Sequence, residues 1–128
     1  MLVQDFLQTS AGCFPDKTAL ICDRRRLTYA EIEAQANQLA HALAAHGVER
    51  SDRVAIYMPN SVETVVAIFG ILKAAATFVV VNPTTKEDKL CYILNNCRAT
   101  ASSTSGCSRR AGATSNRTCC APTGSSRP

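Results

Sequence analysis

Residues 60–83 form the most apolar stretch of the chain, and their pattern predicts a buried helix followed by a buried strand. Ser61 is a typical N-cap residue, and Glu63 places a negative charge in the first helical turn. The apolar residues that follow recur at helical spacing and leave little polar surface: Val62, Val65, Val66, Phe69 and Leu72, flanked by Ile68 and Ile71. Thr77–Val81 is a β-branched and aromatic run that Asn82-Pro83 closes, which is typical of a fully buried strand.

A membrane-spanning helix is the alternative interpretation of the same stretch. Val65–Val81 contains 17 residues with a single charge, close to the lower limit for a membrane span. However, Lys73 lies at its centre, where a charge is costly, and no basic residues flank the Asn82-Pro83 end. The pattern therefore favours the buried helix and strand, and no transmembrane segment is expected.

The chain before this stretch predicts a helix, a hairpin and a second helix. Leu2, Phe6 and Leu7 indicate a short amphipathic helix that ends near Gly12, and Thr18–Cys22 reads as a strand. Asp23–Arg26 is a charged turn, after which Leu27 resumes an extended path. The three arginines of this turn are interpreted as a solvated hairpin tip, with a phosphate-binding patch as the less favoured alternative.

The second helix has clear boundary residues. Thr28 and Glu31 form a capping box, in which each side chain reaches the backbone N–H of the other residue. The helix carries one apolar stripe and ends at Gly47, which suits the position after the C-cap; the stripe consists of Ile32, Ala36, Leu39 and Leu43. His41 and His46 lie on or near this helix and are interpreted as structural, His46 as a favourable charge at the helix C-terminus.

The remaining pattern completes an α/β fold. Arg53–Tyr57 reads as a strand, and Thr84 with Glu87 offers a second capping box before a helix with an apolar stripe of Leu90, Ile93 and Leu94. Alternating strands and helices predict a partial, mostly parallel sheet with flanking helices. The expected domains are residues 1–100, which fold, and residues 101–128, which form a disordered tail.

The tail differs from the rest of the chain in composition and charge. Residues 101–128 contain no Leu, Ile, Val, Met, Phe, Tyr or Trp, so they lack the apolar surface that offsets the entropy of ordering a backbone. Residues 1–100 hold equal numbers of acidic and basic side chains, and the net charge of +4 arises entirely from four arginines in the tail. Basic charge therefore points to an anionic partner only for the tail, and no nucleic-acid binding is expected of the folded part.

The seven cysteines do not form a recognisable metal or disulfide framework. No C-x-x-C pair occurs, and Cys13, Cys22, Cys91 and Cys97 lie in or beside apolar segments, where a cysteine is commonly a small buried hydrophobe. The first residues lack the basic start and apolar core of a signal peptide. The expected location is the reducing cytoplasm.

Four stretches resemble the N-terminal end of the AMP-forming acyl-CoA synthetases, within the adenylate-forming superfamily. They occur in the order and spacing of that family and cover residues 5–100: F-P-D-K-T-A (14–19), L-T-Y-A-E-I (27–32), D-R-V-A-I with P-N-S (52–61), and I-L-K-A-A-A leading into N-P (71–83). Residues 82–86 and 92–97 most resemble the ligases associated with bacterial exosortase and exopolysaccharide clusters.

The resemblance implies an acid–CoA ligase, in which a carboxylic acid and ATP give an acyl-adenylate and CoA then displaces AMP. It also implies that the catalytic segments lie downstream: a phosphate-binding loop, an acidic Mg²⁺ ligand, an Asp for the ribose and a C-terminal lysine. No catalytic, cofactor-binding or metal-binding residue is therefore assigned within this chain, and this chain alone is expected to be inactive. An amino-acid-adenylating member of the superfamily is the first alternative.

Two residues depart from the family pattern. Ala75 stands where the family has a glycine, and we expect backbone strain there if the position requires a positive φ. Ser51 stands at another usual glycine, at a turn where the expected cost is small. The acyl substrate is not predicted, because the resemblance places the acid pocket downstream.

The tail does not continue the resemblance. Thr104-Ser105-Gly106 opens like the family's phosphate loop, but the later glycine and lysine are absent, so we interpret it as a chance match. Our hypothesis is that residues from about 100 onward are a frameshift product. Two other classes of function remain open: a small non-enzymatic α/β module whose basic tail binds anionic partners, and a misfolding remnant that exposes an unpaired sheet edge.

Overall fold

The computed structural model describes residues 1–104, with side chains described for residues 1–100. Four helices and five strands alternate along this part of the chain in the order α1, β1, β2, α2, β3, α3, β4, α4, β5. Their bounds are α1 Val3–Cys13, β1 Thr18–Cys22, β2 Arg25–Thr28, α2 Tyr29–Ala45, β3 Arg53–Tyr57, α3 Val62–Lys73, β4 Thr77–Val81, α4 Glu87–Asn96 and β5 Ala101–Thr104. The predicted α/β class with a mostly parallel sheet is confirmed.

Residues of two sheets contribute to the apolar core. Strands β1 and β2 form an antiparallel hairpin, whereas β3 pairs in parallel with β4 on one side and with β5 on the other. The first apolar cluster joins the hairpin to the helices through Leu7, Leu27 and Ile32. The second cluster packs Val54 and Ile56 of β3 against α3. Ala55 points to the opposite face of β3 and is also fully buried, so both faces of the central strand are covered.

Helix α3 links the two clusters. Val62 and Val66 belong to the first cluster, while Ala67 and Ile71 belong to the second. Of its twelve residues only Glu63 is exposed, as the all-round apolar pattern predicts. Gly70 lets α3 approach α2 closely, since a Cβ added there would lie 2.7 Å from the Leu39 side chain. None of the helices that the structure describes in residues 1–104 is both long enough and apolar enough for a membrane span.

Three helices end in the same way, with a residue in the left-handed conformation just after the C-cap. In α2 this residue is Gly47, with φ of 83°, whereas α3 uses Ala75 with φ of 59° and α4 uses Arg98 with φ of 50°. Each ending contains the two backbone hydrogen bonds of a Schellman motif; in α3, Ala76 N–H donates to Ile71 O at 3.1 Å and Ala75 N–H to Leu72 O at 3.0 Å. Ala75 therefore has the positive φ at which strain is expected.

The second unusual residue contacts the first. Ser51 has φ of 71°, and its N–H donates to the carbonyl of Ala75 at 2.9 Å. The next hydrogen bond joins Thr77 N–H to Asp52 O at 2.7 Å and begins the pairing of β3 with β4. Ser51 and Ala75, which stand where the resembled family has glycines, thus lie together where the turn before β3 meets the turn before β4. The hydrogen bonds between these turns begin the pairing of the two strands.

The structure corrects several of the expectations from sequence. Thr84 does not cap α4: the N-cap residue is Lys86, and the Thr84 N–H and hydroxyl instead donate to the Asn82 side-chain carbonyl at 2.9 and 2.8 Å. Asparagine directly after a strand favours this local turn, which competes with the helix cap. Cys13, the last residue of α1, is exposed rather than buried.

Strand β4 is not fully buried. It lies at the edge of the three-stranded sheet, paired only with β3 among the described strands, and Val80 remains 54% exposed. A run of β-branched residues is typical of a strand in the sheet interior, but the pattern alone does not state how many neighbours the strand has.

A fifth strand forms where the sequence pattern predicted none. The expectation that no strand follows Thr100 is wrong, because Ala101–Thr104 forms β5 alongside β3. A strand pairs through its backbone, and Thr100 N–H donates to Arg53 O at 2.7 Å to start this pairing, so apolar side chains were not required. The disorder and the chance T-S-G match predicted for the rest of the tail lie outside the described residues.

Candidate functional site

The carboxyl edge of the parallel sheet is the place where an α/β fold of this topology would bind a ligand. The strand order β4-β3-β5 means that the chain moves in one direction from β3 to β4 and in the opposite direction from β4 to β5. Ligands of open α/β sheets bind outside the carboxyl ends of the strands, at such a reversal. Among the described residues, the candidate site therefore comprises the loop that follows β3 and the loop that follows β4.

The loop after β3 is held by its own side chains. The Thr64 hydroxyl donates to the carbonyl of Pro59 at 2.8 Å, and Thr64 is a buried polar residue. The Ser61 hydroxyl lies 3.5 Å from the Thr64 hydroxyl. Ser61 occupies the predicted N-cap position of α3, but its side chain makes no capping hydrogen bond to the helix backbone. The hydroxyl groups at this helix start thus stabilise the turn.

The loop after β4 is tied to the end of β3. The Tyr57 hydroxyl lies 2.9 Å from the carbonyl of Pro83 and 3.1 Å from that of Thr85, so it donates to this loop. Asn82 accepts both hydrogen bonds from Thr84, as described above. These contacts place a phenol, an amide and a hydroxyl at the sheet edge and engage each of them within the protein.

A charged pair flanks the same edge. Arg25 of β2 pairs with Glu63 in the first turn of α3. Backbone hydrogen bonding at the helix start, together with the Ser61 hydroxyl and Arg25, lowers the pKa of the Glu63 carboxyl. Arg24 and Arg26 are exposed, and the turn itself consists of Asp23 and Arg24, because Arg25 and Arg26 already belong to β2. The charged turn is therefore shorter than the predicted Asp23–Arg26, and one of the three arginines is committed to an ion pair.

A second ion pair was not found from the sequence. Lys73 Nζ lies 2.6 Å from Glu33 Oε1 and joins α3 to α2, and both side chains are largely buried. Glu33 Oε2 is buried and makes no hydrogen bond. The sequence does contain a signal for this pair: Lys73 is a single charge inside an apolar run, and buried charges are normally paired. The pair lies away from the sheet's carboxyl edge, at the end of α3, and joins two helices.

The described donor groups at the candidate site are largely engaged in contacts within the protein, and they form no cluster that could hold a metal ion. Within residues 1–100, no group of three or more His, Cys, Asp or Glu side chains could hold a metal ion. Of the cations beside this edge, Arg25 is paired with Glu63, whereas Arg24 and Arg26 are exposed. Of the two histidines, both exposed, His46 has its Nδ1 2.6 Å from the carbonyl of Ala42 in its own helix. The contacts at this edge thus hold the loops after β3 and β4 in place.

The chain is similar to a known enzyme family and to several of its members. The profile of the family described as "AMP-binding enzyme" matches residues 7–123, which includes most of the segment expected to be a separate tail. A medium/long-chain-fatty-acid–CoA/3-oxocholest-4-en-26-oate–CoA ligase of Mycobacterium tuberculosis is 40% identical over 94 residues, which is 73% of this chain and 17% of the ligase. Tyrocidine synthase 1 of Brevibacillus parabrevis is 36% identical over 94 residues, covering 73% of this chain and 9% of the synthase.

Solved structures show the same fold. The N-terminal subdomain of NpsA from Klebsiella oxytoca, solved with 3-hydroxyanthranilyl-AMSN, superposes with a TM-score of 0.76 at 30% identity. The match covers 80% of this chain but 26% of that subdomain. The chain thus spans less than a fifth of the curated ligase that it matches and about a quarter of the solved subdomain.

Proposed function

Because the chain belongs to the AMP-binding enzyme family, we propose that it supplies the N-terminal part of the large domain of an AMP-forming acid–CoA ligase. The complete enzyme would join a carboxylic acid to ATP, release pyrophosphate and transfer the acyl group from the adenylate to CoA. In this proposal residues 1–104 are scaffold: they build the first strands of a parallel sheet and position loops for the remainder of the domain.

The scaffold role rests on one observation: hydroxyl groups at the carboxyl edge of the sheet make their hydrogen bonds within the protein. An active site presents groups that are free to contact a substrate or to exchange protons with it. At this edge the Tyr57 hydroxyl is committed to the loop after β4, and the Thr64 hydroxyl is committed to the loop after β3. Substrate acid, ATP, Mg²⁺ and CoA would therefore be bound by the longer protein's other segments.

Adenylation without transfer to CoA is the second candidate, and the similarity to Tyrocidine synthase 1 favours it. Acyl-CoA ligases and peptide synthetases share the first half-reaction, so a scaffold segment would serve both. The two candidates differ in the acceptor of the acyl group, which no residue of the described edge contacts. The exosortase-associated subgroup and the frameshift origin of the tail also stay predictions.

The isolated chain provides the first test. Purified residues 1–128 are expected to show no ATP–pyrophosphate exchange with medium-chain, long-chain or aromatic acids, and no retention of ATP in equilibrium dialysis with Mg²⁺. A full-length fatty-acid–CoA ligase assayed in parallel is the positive control. Exchange by the isolated chain, or saturable ATP binding to it, would show that the scaffold assignment is wrong.

A further inference from the structure

Helix α1 and its flanks expose a group of large apolar side chains at the start of the chain. Eight such side chains are exposed among the described residues, and five of them lie within the first 14 positions: Met1, Leu2, Val3, Phe6 and Phe14. Within α1 only Leu7 is buried. Apolar residues that are exposed singly are ordinary on a protein surface, whereas a contiguous group of large ones marks an interaction surface.

The exposed residues of α1 have the spacing of a helix–helix contact. Val3, Phe6, Ser10 and Cys13 are three, four and three positions apart, which is the a and d spacing of a coiled-coil seam. Val3, Phe6 and Cys13 are exposed, and Ser10 is half-buried. At 3.6 residues per turn, Gln8 lies on the opposite side of the helix. We call Val3, Phe6, Ser10 and Cys13 the α1 stripe.

A second copy of α1, running antiparallel, complements this stripe residue by residue. When two such helices pair about their common midpoint, Phe6 of each copy meets Ser10 of the other, and Val3 of each copy meets Cys13 of the other. Each contact thus joins a larger side chain to a smaller one, which lets the two rows interdigitate as knobs and holes. The same contacts occur twice, as in any two-fold symmetric interface.

The charges of α1 and its flanks also suit the antiparallel arrangement. Asp5 is the only charged side chain of α1, and it accepts a hydrogen bond from the Leu2 N–H of its own helix at 2.7 Å. No like charges therefore meet along the pair. The amino group of Met1 in one copy comes beside the exposed Asp16 side chain of the other. Antiparallel helices also bring the positive end of one helix dipole beside the negative end of the other.

The exposed apolar area matches that of a weak dimer. Leu2, Val3, Phe6 and Phe14 are 59–62% exposed. Aromatic side chains bury about 150–250 Å² each when fully covered, so two copies bury roughly 800–1,000 Å² in total through these four residues. Interfaces of that size are typical of weak or transient complexes. We propose that α1 is a self-association surface, through which two copies of this chain form an antiparallel, two-fold symmetric dimer.

The inference is independent of the proposed function, and its test needs no substrate. Sedimentation velocity of the full 128-residue chain is measured between about 1 and 500 µM, where a dimer of this area is expected to dissociate with a Kd of about 10–100 µM. Phe6→Asp changes both copies of the aromatic contact and should weaken dimerisation at least about tenfold. Gln8→Asp is the matched control, because it places the same charge at an exposed position on the opposite side of α1. It should leave the Kd within about twofold.

Crosslinking tests the direction of the two helices. A short bismaleimide joins cysteine thiols that lie close together, and Cys13 is an exposed free cysteine. The antiparallel dimer predicts that Val3→Cys gives crosslinked dimers, that adding Cys13→Ser removes them, and that Gln8→Cys gives no more than the wild-type chain. Parallel helices would place Cys13 beside Cys13. Crosslinking of the wild-type chain that Cys13→Ser abolishes would therefore overturn the proposed arrangement.

Other outcomes would overturn the dimer itself. They are a chain that stays monomeric at every concentration, and equal weakening by Phe6→Asp and Gln8→Asp when circular dichroism shows that both variants fold. Vesicles of phosphatidylcholine and phosphatidylglycerol test a lipid surface as the occupant. If a monomeric chain sediments with these vesicles and Phe6→Asp abolishes that binding, the α1 stripe belongs to a membrane contact and the dimer is refuted. None of these measurements depends on ATP–pyrophosphate exchange, so the dimer and the proposed function fail separately.

Discussion

The strained helix ending at Ala75 leads to the most specific prediction about stability. Ala75 has φ of 59°, in the left-handed region, and it occupies the position in the α3 Schellman motif that Gly47 occupies in α2. Its side chain is exposed, so replacing it with glycine removes no buried contact. The substitution Ala75→Gly therefore isolates the backbone effect from packing.

Two opposing terms set the expected magnitude. The left-handed conformation costs a residue with a Cβ about 1–2 kcal/mol, whereas glycine loses about 0.4–1 kcal/mol more conformational entropy on folding. The balance predicts that Ala75→Gly raises the free energy of unfolding by about 0.5–1 kcal/mol. For a domain of this size, that gain corresponds to an increase in Tm of roughly 2–8 °C.

Urea denaturation followed by far-UV circular dichroism measures the effect as a shift in midpoint at unchanged m-value. Ala74→Gly is the matched control: it makes the same chemical change one residue earlier, where φ is −73°, and should lower stability by about 0.5–1 kcal/mol. Gly47→Ala should also lower stability, because it introduces the same strain into α2. If Ala75→Gly destabilises the protein as much as Ala74→Gly does, the strain argument is refuted.

Three further predictions follow from contacts of α3. Gly70→Ala should destabilise the chain by about 1 kcal/mol, because overpacking against Leu39 exceeds the gain in helix propensity. In a double-mutant cycle of unfolding free energies, Leu39→Ala should relieve this clash. Lys73→Met should cost about 3 kcal/mol by leaving the Glu33 carboxylate buried without its partner, and the double substitution with Glu33→Met should unfold at higher urea than Lys73→Met alone. The lowered pKa of Glu63 contributes stability that is present above its unfolded-state pKa of 4.5 and is lost as the pH falls through the folded pKa. The Glu63→Gln variant should therefore show a smaller fall in Tm between pH 5 and pH 3 than the wild-type chain. An equal fall in Tm for the two proteins would contradict this.

Local chemistry made most of the fold predictable. Thr28 and Glu31 form the predicted capping box, with Thr28 N–H donating to the Glu31 carboxylate at 2.8 Å and Glu31 N–H to the Thr28 hydroxyl at 3.3 Å. Strands β1, β3 and β4 have the predicted bounds, because turn residues on both sides of a short apolar run limit where the strand can begin and end. Gly47 ends α2 with a positive φ, as expected of a glycine directly after a helix.

Longer-range features were less accessible from the sequence. The edge position of β4 depends on which strands pair, and strand order is not encoded in the apolar run itself. The pairing of Lys73 with Glu33 joins residues 40 positions apart, so no local spacing predicts it. Strand β5 forms from Ser, Thr and Ala because backbone pairing with β3 does not require an apolar side chain.

At the candidate site, too, the local motifs were predictable from the sequence and the long-range contacts were not. The loop residues after β3 and β4 were visible as part of family-like motifs, but their commitment to internal hydrogen bonds was not. Tyr57 is the clearest case, since only the fold brings its hydroxyl to the carbonyls of Pro83 and Thr85. The resemblance identified the family, and the geometry added the scaffold role that we propose for this segment.

A chimaeric ligase tests that scaffold role most directly. Residues 1–100 of this chain replace the aligned 94-residue stretch of the Mycobacterium tuberculosis ligase, and ATP–pyrophosphate exchange is measured with a fatty acid and with 3-oxocholest-4-en-26-oate. If the segment is scaffold, the folded chimaera keeps exchange activity, and the ratio of kcat/KM for the two acids equals that of the parent ligase. A folded chimaera that has lost exchange, or whose preference between the two acids has changed, would contradict the account.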